Sequence, residues 1–144
     1  MTIVEVLFVA SVAPIVRDAG TAKRFYRDGL GLSFEGGDGD YIYTEHLEGT
    51  KHFGLWPLRE AARACFGTDE WPSEIEIPQA SMEFEVADVA AAAEELVSTG
   101  HQLIHGARTE PWTQVTARLL SPDGLLVAVC NTPWLHGQVE STDV

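Results

Sequence analysis

Positive charge is what this chain most lacks. Nine Lys and Arg stand against 22 Asp and Glu in 144 residues, a net charge of −13 at pH 7. Such a field repels phosphate backbones and anionic headgroups and concentrates cations, so nucleic acid and membrane surfaces are poor partners, and the acidity serves either solubility or a cationic ligand. Cysteine is scarce too. Cys65 and Cys130 lie far apart without CxxC spacing, which points to two reduced, buried thiols rather than a disulfide scaffold or thiolate zinc site. No apolar run approaches the roughly 18 residues of a membrane span. No N-terminal stretch joins a basic region to an apolar core and a cleavage site, so a cytoplasmic location is expected. Gly36-Gly37-Asp38-Gly39 separates two strands instead of opening a helix, and so is no phosphate loop. No serine sits in a nucleophile elbow, and neither cysteine has an identifiable base partner.

What is present is a repeated plan. Residues 3–16 read as a strand, with Pro14 marking an edge or an irregularity. Asp18 caps a helix whose apolar positions Ala22, Phe25, Tyr26 and Leu30 follow helical spacing until Gly29 and Gly31 stop it. Phe25 and Tyr26 are expected in the core. The turn at 36–40 separates two strands, the later carrying Tyr41 to His46, and residues 52–56 form the last strand of this half. A short helix over 58–66 and a proline-containing linker over 67–79 follow. The second half repeats the order. Ser81–Val86 is a strand, Asp88 caps a helix with Val89, Ala92, Ala93, Leu96 and Val97 as its apolar stripe, and strands lie near 102–106, 114–120 and 125–131. Ser121-Pro-Asp-Gly124 joins the last two as a hairpin turn. The fold class is α+β, with a βαβββ module over 1–66, the linker at 67–79, a second module over 80–132, and a polar tail over 133–144 that is expected to fray from residue 135. Together they form a single domain.

Several signatures carry a family resemblance: Val16-Arg-Asp18 with Phe25-Tyr26 and Leu30-Gly31-Leu32, then Phe84-Glu-Val-Ala-Asp88, Glu110-Pro-Trp-Thr-Gln114 and Ser121-Pro-Asp-Gly124. In order and spacing, over about residues 10–132, the chain resembles the vicinal oxygen chelate superfamily, which includes glyoxalases, extradiol dioxygenases, fosfomycin-modifying enzymes and bleomycin-resistance proteins. The resemblance implies two modules curled into one cup-shaped mixed-sheet cleft, and a homodimer. In metal-dependent members His and Glu side chains hold a divalent ion in the cleft. At the corresponding places this chain has Ser11, Ser81 and Ala128, which cannot supply the carboxylate or imidazole groups such an ion requires. No metal and no cofactor is therefore expected.

Strand alternation nominates the cleft residues. His52 and Trp56 share one face of their strand, and Tyr41, Tyr43 and Glu45 one face of theirs. Ser81, Glu83 and Glu85 project opposite the apolar set Met82, Phe84 and Val86. Gln114, Thr116 and Arg118 oppose Val115, Ala117 and Leu119, placing Arg118 across from Glu83 or Glu85 as an ion pair. Trp112 stands at the rim. Each of Trp56 and Trp112 is either a stacking platform or a packing tryptophan. His101 and His105 lie beyond the helix end and read as surface imidazoles, while His46 and His136 carry no pattern. The expected ligand-binding set is Trp56, Trp112, Tyr41, Tyr43, Glu45, His52, Glu83, Glu85 and Arg118. The function it supports is metal-free binding of a cationic or aromatic metabolite or antibiotic, like the bleomycin-resistance branch. The alternatives are a glyoxalase-like or dioxygenase-like metalloenzyme with displaced ligands among His52, Glu83, Glu85 and His46, and a metal-independent isomerase or hydrolase with Glu83 or Glu85 as base.

Overall fold

The computed structural model describes residues 4–36 and 39–136. Seven strands form one open mixed sheet: β1 (Phe8–Val16), β2 (Ile42–Thr44), β3 (Phe53–Pro57), β4 (Ala80–Glu85), β5 (Leu103–Thr109), β6 (Val115–Leu120) and β7 (Leu126–Asn131). Their order is β2-β3-β1-β4-β7-β6-β5. Each half closes the same way, β1 parallel to β3 and β4 parallel to β7, and the halves meet at the antiparallel pair β1–β4. The first half is the shorter. The strand expected before the 36–40 turn is reduced to one bridge between Gly36 and Tyr43, with residues 37 and 38 outside the described part.

β1 lies in the middle of the sheet, so Pro14 does not mark an edge. Val12 donates its N–H to His52 on the β3 side and Ile15 donates to Gln79 on the β4 side. By alternation the Pro14 nitrogen faces β3, where its missing donor breaks one rung of the ladder. The irregularity falls instead at Ala10, where the β1–β4 register shifts between Val9 and Ser11. That bulge brings Ala10, Ser11 and Ala13 to the same side of the sheet, around the cavity described below.

The first helix is also not the regular stripe expected. Asp18 accepts the Thr21 N–H at 3.0 Å and starts α1 (Ala19–Lys23), which passes into a π-helical turn over Arg24–Gly29. There the Leu30 N–H reaches the Phe25 carbonyl, five residues back. The wider turn rotates the later positions off the apolar face. Tyr26 still packs against Val16, Ile42 and Leu55, whereas Phe25 and Leu30 are each 58% exposed. In α3 (Val89–Ser98) Asp88 caps the Ala91 N–H, Val89, Ala92 and Ala93 are buried, and Leu96 packs beside them. Val97 falls outside the stripe and is exposed.

Helices cover the far face of the sheet only at its two ends, α1 against β3 and α3 against β5, β6 and β7. Among the described residues no helix packs over the far face of the β1–β4 seam, where Met82 and Phe84 are half-buried instead of core. α2 (Leu58–Phe66) packs with Ala61 and Cys65 against Ile15 and Leu126. Both cysteines are free and buried, as expected; burial pushes the Cys65 thiol up to about 11 and the Cys130 thiol higher still. Of the expected tail, Pro133–His136 forms a 3₁₀ turn and residues 137–144 lie outside the described part. Among the described residues no helix is long and apolar enough to cross a membrane.

Candidate functional site

A cavity of about 520 Å³ opens over the centre of the sheet, floored by β1, β4 and β6 and walled by β2, β3 and the Trp112 and Trp134 loops. Eight of the nine expected residues line it: Tyr41, Tyr43, Glu45, His52, Trp56, Glu83, Trp112 and Arg118. Ser11, Ser81, Glu60, Gln114 and Trp134 join them.

Glu85 does not. It shares a strand face with Glu83, but the Pro133–His136 turn covers that end of β4 and leaves it 0% exposed. There its carboxylate accepts the Thr132 N–H at 2.6 Å and the Cys130 thiol, and pairs with His136 Nε2 at 2.6 Å. His136, which carried no sequence signal, is thus the partner of a buried acid.

One wall is an ordered relay. Glu45 Oε2 lies 2.8 Å from His52 Nδ1, and His52 Nε2 lies 2.6 Å from the Tyr41 hydroxyl. Trp134 Nε1 donates to the same Glu45 oxygen at 3.1 Å. The His52 hydrogen bond, the largest cause, holds the Glu45 carboxyl below its ordinary range, so it accepts from Nδ1–H. Nε2 and the phenolic oxygen share the next hydrogen bond, which leaves the Tyr41 oxygen with a free lone pair to accept another. Burial, reinforced by the Glu83 charge, raises the Tyr41 phenol far above its ordinary value, so it stays protonated. Tyr43 stacks on the His52 ring at 4.8 Å. Two glycines make this possible. A Cβ on Gly54 would lie 2.7 Å from the Tyr41 hydroxyl, and one on Gly36 would lie 2.3 Å from the Tyr43 ring.

The floor is tied together by Gln114. Its Nε2 donates to Glu83 Oε1 at 3.0 Å and to Thr132 at 2.9 Å, while its Oε1 accepts from Trp112 Nε1 at 2.9 Å. Trp112 is therefore held at the rim, although 46% exposed.

Arg118 pairs with neither Glu83 nor Glu85. Its Nη1 meets Glu110 Oε2 at 2.9 Å and His105 Nε2 at 3.1 Å, and its guanidinium lies 5.6 Å from the Trp56 ring centre. β6 carries Arg118 opposite Ala128, which separates it from Glu83 by a whole strand. Glu110, at the start of the β5–β6 loop, reaches it instead. Burial pushes the Glu110 carboxyl up, but the Thr116 hydroxyl at 2.6 Å and the Arg118 charge outweigh it, and the net shift is downward. His105 is accordingly no surface imidazole. It is half-buried, and burial lowers its affinity for a proton, which suits its acceptance of an Arg118 N–H.

The model of the glyoxalase-like domain matches residues 9–132. The chain belongs to this family. Solved structures of the glyoxalase, bleomycin-resistance and dioxygenase superfamily share the fold. A superfamily member from Vibrio splendidus 12B01 is 17% identical, with 86% of this chain and 97% of that one covered and a TM-score of 0.56. Methylmalonyl-CoA epimerase from Mycobacterium tuberculosis is 18% identical, with 96% and 97% covered and a TM-score of 0.57. The Mn(II)-bound glyoxalase from Novosphingobium aromaticivorans is 19% identical, with 90% of this chain and 40% of that one covered and a TM-score of 0.57. None of the curated proteins matches this chain. At these identities the likeness establishes the glyoxalase-like fold and not an activity.

A divalent ion does not suit the donors of this glyoxalase-like cavity. Ser11 and Ser81 offer only hydroxyls, and Glu83 is tied to Gln114. Both nitrogens of His52 are engaged, Glu85 is sealed behind the 3₁₀ turn, and His46 lies at the surface paired with Glu35. Among the described residues no three His, Cys, Asp or Glu gather as a metal site would need.

Proposed function

We propose that this glyoxalase-like domain binds a metabolite-sized aromatic molecule bearing a positive charge, without a metal and without chemical change. The observation that carries the reading is the balance of groups around the cavity. Glu45, Glu60, Glu83 and the free lone pair of Tyr41 present acceptors, and Trp56, Trp112, Trp134 and Tyr43 present ring faces. Such walls recognise a donor-rich cation through hydrogen bonds and cation–π contact. The volume suits a small organic molecule, which narrows the expected antibiotic or metabolite to that size.

Phenethylamine, a phenyl ring with one ammonium, is the simplest probe. Tryptophan fluorescence should change saturably as it is titrated in. A charge-assisted hydrogen bond contributes roughly 1.5–3 kcal/mol, so Glu83→Gln should weaken binding at least about tenfold. Equal affinity in wild type and Glu83→Gln would show that the acidic wall does not read the ligand. The homodimer and cytoplasmic location belong to the same proposal. Light scattering should give twice the 15.7 kDa of one chain; the mass of a single chain would remove the dimer.

A further inference from the structure

The cavity contains one group that its acidic walls do not explain. Arg118 lines it and is 1% exposed, yet its Nη2 has no hydrogen-bond partner, the one buried side-chain nitrogen or oxygen among the described residues left so. The imbalance within the guanidinium is sharp. Nη1 faces the Ala64 carbonyl at 3.5 Å, His105 Nε2 at 3.1 Å and Glu110 Oε2 at 2.9 Å, while Nη2, the other arm of the planar fork, meets none. An arginine held on three sides by one nitrogen is fixed in orientation, and its second nitrogen cannot swing away to find water. A buried donor left unmade is costly, and the partner that a guanidinium fork matches best is a carboxylate.

Position strengthens this. β-sheet register sets Arg118, Ala128, Glu83 and Ser11 in one row across β6, β7, β4 and β1. Neighbouring strands lie about 4.8 Å apart, so the backbones that carry Arg118 and Glu83 stand two strand spacings apart, with Ala128 as the residue between them in the row. The row therefore offers a donor of positive charge and an acceptor of negative charge at metabolite spacing.

We infer that Arg118 Nη2 anchors a carboxylate of the ligand while Glu83 takes its ammonium, so that the cavity selects an aromatic molecule carrying both groups. This deepens the proposed function and rests on it. Arg118 supplies fixed positive charge at the centre of a cup whose metal-dependent relatives use an ion, with Glu110 keeping the guanidinium in place.

Three phenyl compounds of matched size test the anchor: phenethylamine (ammonium alone), phenylalanine (ammonium and carboxylate) and 3-phenylpropionate (carboxylate alone). Phenylalanine should bind wild-type protein at least about tenfold more tightly than phenethylamine, and 3-phenylpropionate most weakly. Arg118→Lys should bring the phenylalanine-to-phenethylamine ratio close to one, because a lysine has a single nitrogen and Glu110 claims it. Should that variant fail to fold, the guanidinium ¹⁵N signals of wild-type Arg118 decide, shifting with phenylalanine and not with phenethylamine. Phenylalanine binding no better than phenethylamine, a ratio unchanged in Arg118→Lys, or Arg118 signals indifferent to phenylalanine would each overturn the anchor and leave cation binding intact. Failure of all three compounds to bind would instead remove the proposed function beneath it.

Discussion

Tyr41 and Gly54 show how little room the site allows at the level of single residues. The Tyr41 ring lies across β3 only because position 54 has no side chain, and an added Cβ would sit 2.7 Å from the hydroxyl. Gly54→Ala should push the ring off β3 and part the phenol from His52, weakening phenethylamine binding about tenfold while the melting temperature moves little. Unchanged affinity would mean that the Tyr41 oxygen does not face the ligand. Strand alternation made Tyr41, Tyr43, Glu45, His52, Trp56, Glu83 and Arg118 legible as one face, because side-chain direction follows from a period of two. It did not show which group each would bond. Arg118 was expected opposite Glu83 or Glu85, but its partner is Glu110, brought in by a loop whose path no periodicity encodes.

At the scale of elements, the second half of the chain reads more clearly than the first. β4, α3, β6 and β7 lie close to where apolar alternation, the Asp88 cap and the Ser121–Gly124 turn put them. The π-helical turn in the first half was not legible, because it inserts one residue into a helical pattern without a local signature, and Phe25 and Leu30 moved outward with it. The Pro133–His136 turn was read as tail, although it closes over Glu85. His136→Ala should leave that buried carboxylate short of a partner and cost about 1–3 kcal/mol, read as a lowered thermal midpoint. A midpoint equal to wild type would show that the Thr132 N–H and Cys130 suffice. The link between residue 35 and the end of β2 predicts an acid dependence. Glu35 accepts from the Thr44 hydroxyl and the Glu45 N–H, each at 2.7 Å, and these bonds, with His46, hold its carboxyl at about 2. A carboxyl lower in the folded than in the unfolded chain stabilises above its ordinary value of 4.5, and that stability is lost as pH falls toward 2. Melting temperature should therefore drop between pH 5 and pH 2.5, and drop less in Thr44→Ala. Equal slopes for the two proteins would contradict the assignment.

Over the whole molecule, duplication builds the cup and the differences between copies give it its chemistry. Two βαβββ-like halves meet along β1–β4, and Ser11 of one faces the strand that carries Ser81 and Glu83 of the other. The net charge of −13 is expressed at the site as the acceptors Glu45, Glu60 and Glu83, with Arg118 as the single fixed cation among the cavity residues. A cleft between the halves is what the family resemblance implied, and its acidic walls agree with the composition. Its volume, and the loops of Trp112 and Trp134 that shape it, were not legible in the sequence, since loop conformation depends on contacts distant in sequence. The central claim is recognition of an aromatic cation by the protein's own side chains. Its most direct test is calorimetric titration of phenethylamine into protein dialysed exhaustively against EDTA, with metal content measured on the same sample. Saturable heat, one ligand per chain, from metal-free protein is the predicted result; binding that appears only when a divalent metal is restored would contradict the account.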